Sequence, residues 1–363
     1  MSESEVDPNA VRMFSFLVFS KLEGAVTAGM IHLGDRLGLY RALADTDVPI
    51  TSDQLAAKLQ LHPRWVLEWI HNQAAARIVN VDIDESGIER YHLGPEGRIV
   101  LADENHPAFG MGMFHRLPQT IDSLKALPDS FRTGLGHDYD SHGPEGAVGI
   151  ERSFEPWSRS YLLPVVLPAL DGVVDRLEKG ARVADIGCGA GGAAVRMAKA
   201  YPESRVIGYD ISSFALERAE KRKREEAADN VWFNDPRYDP LPEDESLDLV
   251  TAFDCIHDMT HPSAVMSAIR KSLKPDGIWL LVDIKALDTF AENMAKNPMA
   301  SLMYGISVMS CMSSAMSMPG GAGLGTLGLP ESKAREMASE AGFTRFRRLD
   351  IEHSLNAFYE VRP

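Results

Sequence analysis

Residues 181–192 read Ala-Arg-Val-Ala-Asp-Ile-Gly-Cys-Gly-Ala-Gly-Gly, and this stretch decides the fold of the chain. The apolar run with Val183 and Ile186 predicts a short β-strand, and the glycines after it predict a tight turn. Residues 193–201 then predict a helix. Glycines let a backbone approach a ligand closely, and the free N–H groups at a helix N-terminus point toward that ligand. The stretch therefore predicts a nucleotide-sized binding loop between a strand and a helix.

Two kinds of nucleotide site fit this loop. Gly187, Gly189 and Gly192 match the G-x-G-x-x-G fingerprint of dinucleotide-binding proteins. Asp185, two residues before the first glycine, favours the other kind. The pattern Asp-x-Gly-x-Gly-x-Gly resembles motif I of the class I S-adenosylmethionine (SAM) dependent methyltransferases. The resemblance implies SAM as the cofactor, with Asp185 orienting the glycine loop.

Strands and helices alternate in the sequence from residue 165 onward, which is typical of a parallel sheet. Two final strands, 346–353 and 358–361, are joined by too few residues for a parallel crossover and must pair antiparallel. A reversed last strand resembles the methyltransferase sheet. We therefore expect an α/β fold with a Rossmann-like, seven-stranded methyltransferase sheet. The other predicted strands are 182–186, 205–209, 231–233, 247–253 and 278–284.

Carboxylates follow the first three of these predicted strands. Asp210 ends the second strand, about twenty residues past the glycine turn, where an acid can accept both ribose hydroxyls. Asp235 follows the third strand, where the resemblance places an acid on the adenine amino group. The alternative is a Rossmann domain in which these acids only cap helices. The predicted cofactor-binding residues are Asp185, Gly187, Cys188, Gly189, Gly191, Asp210, Ile211, Asn234, Asp235, Phe253 and Asp254.

The segment Phe253-Asp-Cys-Ile-His-Asp-Met259 ends the fourth strand, at the sheet edge where ligands bind. It resembles the Leu-His-Asp-Trp segment of small-molecule O-methyltransferases. By this resemblance His257, with Asp258 beside it, is the general base that takes the hydroxyl proton of the acceptor. Met259 replaces the family's tryptophan, so a packing or capping role for His257 stays open. Candidates for the acid that orients the histidine are Asp283, Asp288, Glu292 and Glu155.

Two groups of side chains fit the spacing of metal ligands. One is His257, Asp258 and His261, with its histidines four residues apart, and the other is His137-Asp-Tyr-Asp-Ser-His142. Asp258 also fits a helix N-cap, His261 precedes a helix start, and the second group fits a solvated turn. We predict no metal site at either place.

The N-terminal third predicts a separate domain. Apolar residues recur at three- and four-residue steps over residues 10–44, which predicts a long helix needing a partner surface. Two helices near 51–59 and 63–76 and two strands, 78–83 and 89–93, follow. This order predicts an α-rich winged-helix domain. Seven Lys/Arg against twelve Asp/Glu over residues 30–105 argue against DNA binding and favour dimerisation.

The bulk composition limits the partners. The chain has 363 residues and a formal net charge of −15, which fits neither a nucleic acid backbone nor an anionic membrane surface. Its three cysteines are far apart, which predicts a reducing cytoplasm rather than disulfides. The acidic segment Met1–Glu5 lacks the basic region of a signal peptide.

An uncharged, methionine-rich segment spans residues 297–330. The segment is long enough for a transmembrane span, but its Ser and Gly residues and Pro319 favour a lid or pocket wall. Methionine adapts to varied apolar shapes, so a pocket for an apolar acceptor is expected, with core packing or a dimer contact as alternatives. The candidate substrate-binding residues are Phe114, His115, Phe154, Trp157, Tyr161 and Met303.

These observations predict three parts: a winged-helix dimerisation domain (1–105), a helical connector and substrate cap (106–165), and a SAM-binding domain (166–363) with a lid insertion near 285–329. The predicted function is methylation of a small apolar or aromatic molecule by a cytoplasmic homodimer, at oxygen if His257 is the base. Two alternatives stay open. One is non-methylating hydroxylase or decarboxylase chemistry on the same fold, and the other is a SAM-responsive transcription regulator.

Overall fold

The computed structural model describes residues 6–363, so the expectation for Met1–Glu5 lies outside the described residues. The chain divides into two compact units, Met1–Pro118 and Gln119–Pro363. The boundary falls within the segment that the sequence assigns to the connector.

The first unit is a small helical domain with a two-stranded wing. Its elements are α1 (Pro8–Arg36), α2 (Leu39–Ala44), α3 (Ser52–Leu59), α4 (Pro63–Ala75), β1 (Asn80–Ile83), β2 (Glu89–His92), α5 (Pro95–Ala102) and α6 (Met111–His115). Thr51 and Gln54 cap the start of α3 reciprocally, and β1 pairs antiparallel with β2. Leu43, Leu55 and Ile70 are fully buried in its core. The winged-helix order predicted from the sequence is therefore present.

Helix α1 is unusual because most of its apolar side chains are exposed. Within α1 only Thr27, Ile31, Gly34 and Asp35 are buried, whereas Phe14 and Phe16 are 66% and 68% exposed. Of the helices in residues 6–363, α1 alone is long and apolar enough to cross a bilayer, judged by length and composition. Its N-terminal half thus presents an uncovered apolar surface.

The second unit is built on a seven-stranded sheet. Its strands are β3 (Arg182–Ile186), β4 (Arg205–Tyr209), β5 (Val231–Asn234), β6 (Leu247–Phe253), β7 (Leu273–Ile284), β8 (Arg345–Arg348) and β9 (Asn356–Arg362). The spatial order is β5-β4-β3-β6-β7-β9-β8, with β9 antiparallel to both β7 and β8. The seven-stranded sheet with a reversed last strand is confirmed. Two buried apolar clusters lie on its two faces.

Helices precede and connect these strands. They are α7 (Leu117–Asp122), which contains the boundary between the units, and then α8 (Leu127–Thr133), α9 (Gly143–Trp157), α10 (Val173–Lys179), α11 (Gly192–Ala200), α12 (Ser213–Glu225), α13 (Pro262–Ser272), α14 (Phe290–Lys296), α15 (Ala300–Met309), α16 (Cys311–Ala315) and α17 (Glu331–Glu340). A π-helical segment, Ser158–Val166, continues α9.

Helix α9 is fixed to the sheet domain by a network of half-buried ion pairs. Glu151 bonds Arg218 and Arg222 of α12, and Glu155 bonds Arg196 of α11 and Arg222. These arginines outweigh the effect of burial and lower the pKa of Glu155. The expectation that Glu155 could orient His257 is therefore wrong, because its carboxylate is committed to arginines.

Candidate functional site

The glycine loop after β3 has the backbone that its sequence predicts. Gly187, Gly189 and Gly191 have φ of 64°, 54° and 73°, a region that favours glycine. A Cβ on Gly187 would lie 2.6 Å from the Cβ of Cys255, whereas a Cβ on Gly189 would meet nothing within 4 Å. Gly187 is therefore required by packing, and Gly189 faces open space.

Asp185 lies beneath this loop and is fully buried. The hydroxyl of Thr251 on β6 donates to its Oδ1 at 2.7 Å, while its Oδ2 is buried without a hydrogen-bond partner among the described residues. Burial raises the pKa of Asp185 to about 7. A buried carboxylate oxygen of this kind can accept a hydrogen bond from a ligand or attract a cation.

Asp210 joins the end of β4 to the glycine loop. Its carboxylate accepts the backbone N–H of Gly189 and of Ser212, both at 2.8 Å. Burial raises the pKa of Asp210, against the lowering effect of these two donors. Each carboxylate oxygen keeps a second lone pair, so the same group can still accept hydroxyl donors.

The end of β5 contributes an acid that already has a partner. Asp235 accepts hydrogen bonds from the guanidinium of Arg237, which also donates to the carbonyl of Ile211 at 2.9 Å. Asn234 donates to Asp239, and the side chain of Ile211 is half exposed. The sequence analysis does not predict a role for Arg237, although Arg237 stands two residues after Asp235, a predicted cofactor contact.

The residues around the loop fit SAM. Gly189 leaves room where a side chain would intrude, Asp185 has an unpartnered buried oxygen for a cationic methionine group, and Asp210 keeps acceptor capacity for a ribose. Cys188, also predicted here, is buried and donates its N–H to the carbonyl of Tyr209. The predicted cofactor residues of β3 and β4 thus converge on one edge of the sheet.

His257 lies on the short turn after β6, at the same edge. Phe253 of β6 pairs with Val282 of β7, so the ends of these two neighbouring strands are level. This register brings His257 Nδ1 to 2.6 Å from Asp283 Oδ1, with both side chains buried. Asp283 is therefore the candidate that orients the histidine. Asp288 bonds Ser332 instead, and the carboxylate of Glu292 accepts a hydrogen bond from Thr289, the N-cap of α14.

The ionisation of His257 follows from this pair. Burial lowers the pKa of His257, but the charge and the hydrogen bond of Asp283 outweigh it and raise the pKa well above its ordinary value. A hydrogen bond with Cys311 of α16 acts in the same direction.

Two further acids surround the histidine. Burial raises the pKa of Asp258 to about 7, against the lowering charge of His257 and a hydrogen bond with Tyr139. Asp254, with φ of 48°, accepts a hydrogen bond from Asn356, and burial raises its pKa. The other predicted cofactor residue of this segment, Phe253, packs edge-on against Trp157.

The donor atoms of His257, Asp258 and Cys311 lie within 4.8 Å of one another, a spacing compatible with a metal ion. His261, which the sequence grouped with His257 and Asp258, is exposed and outside this set. Neither sequence analysis nor helical spacing could identify Cys311, which is 54 residues away along the chain. The prediction of no metal stays a prediction.

The predicted acceptor residues fall in different places. Phe114 and His115 belong to the first unit, where the carbonyl of Phe114 contacts His32. Trp157 is buried and stacks on Phe358. The remaining candidates, which are partly buried in the second unit, are Phe154, Tyr161 and Met303. Their role in substrate binding stays a prediction.

The methionine-rich segment forms two short helices, α15 and α16, rather than one span. Helix α16 is buried and packs on the turn of His257, and the backbone N–H of Gly325 donates to the carbonyl of His257. Met294, Met299 and Met318 are exposed. The segment therefore covers the histidine with α16 and Gly325, while Met299 and Met318 of the same segment stay exposed.

Comparisons with known families match both units. A family described as "Methyltransferase domain" matches residues 177–319, and one described as "Rv2258c-like winged HTH domain" matches residues 25–102. Residues 177–319 are thus similar to a methyltransferase domain, whose family depends on SAM, and residues 25–102 to a winged-helix domain. SAM is the cofactor of this family, in agreement with the fit of the glycine loop.

Curated methyltransferases are similar to part of the chain. The malonyl-[acyl-carrier protein] O-methyltransferase of Xylella fastidiosa is 29% identical over 152 residues, covering 39% of this methyltransferase and 50% of the relative. A ubiquinone biosynthesis O-methyltransferase of Neisseria meningitidis is 30% identical over 141 residues, covering 38% and 54%. The chain thus spans about half the length of these relatives.

Solved structures are similar over the whole methyltransferase. Human N-acetylserotonin methyltransferase in complex with SAM has a TM-score of 0.66 at 18% identity, covering 100% of this chain and 99% of that one. The mitomycin 7-O-methyltransferase MmcR has a TM-score of 0.67 at 18% identity, with 98% and 99% covered. At this identity the likeness concerns the fold.

Proposed function

We propose that this methyltransferase transfers the methyl group of SAM to a hydroxyl oxygen of a small apolar or aromatic acceptor, with His257 as the general base. The observation that supports it is the buried pair of His257, which follows β6, and Asp283 of β7, with β6 next to the strand β3 that leads into the glycine loop. A histidine held by a carboxylate at one ring nitrogen can work as a base at the other.

When bound, SAM supplies a methyl group on a positively charged sulfur. His257 takes the proton of the acceptor hydroxyl at Nε2 while the oxygen–carbon bond forms and the carbon–sulfur bond breaks, its electron pair staying on sulfur. Asp283 holds the Nδ1–H and stabilises the imidazolium that results. General base catalysis of this kind contributes typically about 10²–10⁴-fold to the rate, and alignment of the reactants supplies more.

Cofactor binding follows from the β3 and β4 ends. Asp210 would accept the ribose hydroxyls, Asp185 would face the methionine group with its free Oδ2, and Gly189 would let the backbone approach. The remaining predicted contacts stay part of this proposal: Ile211 and Asn234 beside the adenine, Asp235 on its amino group if Arg237 releases it, and Cys188, Phe253 and Asp254 lining the loop.

The chemistry of the acceptor is inferred from the segment above His257. That segment carries no charge over residues 297–330 and contains Met303, Met309 and Met312, all partly buried. Such a wall favours an apolar ring or chain over a charged acceptor. The similarity to ubiquinone biosynthesis O-methyltransferases supports the same class.

We also propose that the protein is a cytoplasmic homodimer. The exposed apolar half of α1, with Phe14, Phe16 and Phe19 more than 60% exposed, needs a covering surface, and a second copy is the simplest source. The net charge of −15 disfavours nucleic acid and anionic membranes as alternatives.

The test is incubation of the purified protein with methyl-labelled SAM and a panel of phenols and aliphatic alcohols. Label recovered in an ether-extractable methyl ether supports the proposal, and transfer to nitrogen or sulfur acceptors instead would redirect it. Tight SAM binding without transfer to any acceptor would favour the hydroxylase or decarboxylase alternative.

A further inference from the structure

The motif His137-Asp-Tyr-Asp-Ser-His142 is more than the solvated turn that its sequence suggests. Residues 136–140, called the strap below, are half-buried except for Asp138, and they make hydrogen bonds to distant parts of the second unit. The strap lies outside the residues that the proposed mechanism uses, so its bonds need a separate explanation.

The first residues of the strap bind the methionine-rich segment and the residues around His257, which together are called the acceptor side below. The N–H of Gly136 donates to the carbonyl of Met316 at 2.9 Å, and the N–H of His137 donates to Ser313 Oγ at 2.8 Å. The hydroxyl of Tyr139 lies 3.7 Å from Cys311 Sγ and forms a hydrogen bond with Asp258. Tyr139 therefore contacts two of the groups that surround His257, Cys311 and Asp258.

The next residue, Asp140, binds the start of α12 beside Asp210. Asp210 and the glycine loop are called the cofactor side below. The Asp140 carboxylate accepts hydrogen bonds from the hydroxyls of Ser212 and Ser213 and from the N–H of Ser213 at 3.1 Å. These serines begin α12, directly after Asp210 and Ile211. The N–H of Ser212 donates in turn to Asp210, so Asp140 supports the carboxylate proposed to hold the ribose.

The order of the strands shows what lies between these two anchors. Tyr139 is held at the end of β6 and Asp140 at the end of β4, and β3 lies between β4 and β6 in the sheet. The strands β4 and β6 are therefore two strand spacings apart, about 10 Å. The neighbouring side chains of Tyr139 and Asp140 span this distance. The strap therefore crosses the end of β3, where the glycine loop Gly187–Gly191 begins.

We propose that the strap is a clasp over the cofactor loop, and that Tyr139 and Asp140 are positioning residues that couple the acceptor side to the cofactor side. The inference rests on the proposed function for the identity of the cofactor. S-adenosylhomocysteine, the demethylated product, leaves only when the strap releases one or both anchors. Loss of either anchor consequently speeds its release.

The experiment measures dissociation of labelled S-adenosylhomocysteine from the full chain by rapid dilution, without acceptor or turnover. Asp140→Asn and Tyr139→Phe are each expected to release it about tenfold faster, the effect of losing roughly 1.4 kcal/mol of hydrogen bonding, with little change in the association rate. Because both anchors hold one strap, the double variant is expected to release it only slightly faster than either single variant.

Two further variants serve as controls in this experiment. Asp129→Asn, a change at an exposed acid of the preceding helix α8 whose side chain pairs with Arg132, is expected to match the unmodified protein. Ser213→Ala removes a partner of Asp140 from the opposite side and should reproduce the faster release if Asp140→Asn fails to fold.

The results separate the strap from the proposed function. Release at the unmodified rate by both Asp140→Asn and Ser213→Ala would overturn the clasp, as would fully multiplicative effects in the double variant, which indicate independent anchors. Absence of S-adenosylhomocysteine binding by the unmodified protein would overturn the cofactor assignment and the strap together. Binding without methyl transfer would overturn only the proposed reaction.

Discussion

The cofactor side and the acceptor side of the sheet edge are built in different ways. The cofactor side consists of consecutive strand ends, with Asp185, the glycine loop and Asp210 within 26 residues of sequence. The acceptor side gathers Tyr139, His257, Asp283 and Cys311 from segments spread over residues 139–311. The first is fixed by local backbone geometry and the second by tertiary packing. Substitutions on the two sides should therefore affect different steps.

The largest effect is expected on the cofactor side. Asp210→Ala removes the proposed acceptor of two ribose hydroxyls and should weaken SAM binding about 10²–10⁴-fold, as expected for two hydrogen bonds to a charged group. Calorimetry with S-adenosylhomocysteine measures this, and circular dichroism checks the fold. Asp129→Ala on exposed α8 is the matched control. An affinity within threefold of the unmodified protein would remove Asp210 from the site.

On the acceptor side, Asp283→Asn should leave SAM binding unchanged and lower the maximal rate about 10–100-fold, because a charge-assisted hydrogen bond to the base is lost. The change of activity with pH should also differ between the variant and the unmodified protein. His257 is inactive as a base when protonated, so activity rises as pH increases through its raised pKa. Without Asp283 that pKa falls, and the rise moves to lower pH.

The control for this variant is Asp276→Asn, at the exposed start of the same strand. It should keep both the maximal rate and the pH profile. A profile for Asp283→Asn that coincides with the unmodified one would show that Asp283 does not set the ionisation of the base.

Two glycines of one loop sharpen the comparison within the cofactor side. The Cβ added by Gly189→Ala meets no atom within 4 Å, so this variant should lose only about 1–2 kcal/mol of unfolding free energy, the strain of the left-handed backbone. It should weaken SAM binding roughly tenfold, because the methyl group fills space that the ligand needs. Gly187→Ala clashes with Cys255 and should lose a further 1–3 kcal/mol, roughly, of unfolding free energy. Thermal melts and calorimetry on both variants measure this; equal stability losses would contradict the assignment.

The smallest effect is expected at Cys311. Cys311→Ala removes a weak thiol hydrogen bond to the His257 ring, with which an acceptor hydroxyl must compete. The KM for the acceptor should fall about two- to fivefold, as expected for a hydrogen bond of roughly 0.5–1 kcal/mol, with an unchanged KM for SAM. Steady-state kinetics with both substrates varied give the answer; a raised acceptor KM would mean that Cys311 helps to bind the acceptor.

The sequence predicts the cofactor side well because its signals are local. The strands 182–186, 205–209 and 247–253 have the bounds predicted from their apolar runs, and the glycine loop follows from spacing. The second strand's final acid, Asp210, indeed reaches this loop through Gly189. Arg237, which binds the predicted adenine contact Asp235, has no motif that marks it.

The acceptor side is predicted less completely because its contacts are long-range. His257 was found from its motif, but four acids were equal candidates for its partner until the register of β6 and β7 placed Asp283 level with it. Tyr139 and Cys311 come from segments whose composition indicates only a turn and an apolar lid. No local pattern shows that these two segments pack together.

The most direct measurement is a single-turnover methyl transfer by His257→Gln at saturating SAM, with the dissociation constant for SAM determined on the same preparation. The account predicts a dissociation constant within twofold of the unmodified protein and a transfer rate about 10²–10⁴-fold lower. Transfer at the unmodified rate would contradict the role of His257 as the base, and a parallel loss of SAM affinity would make it a cofactor-packing residue.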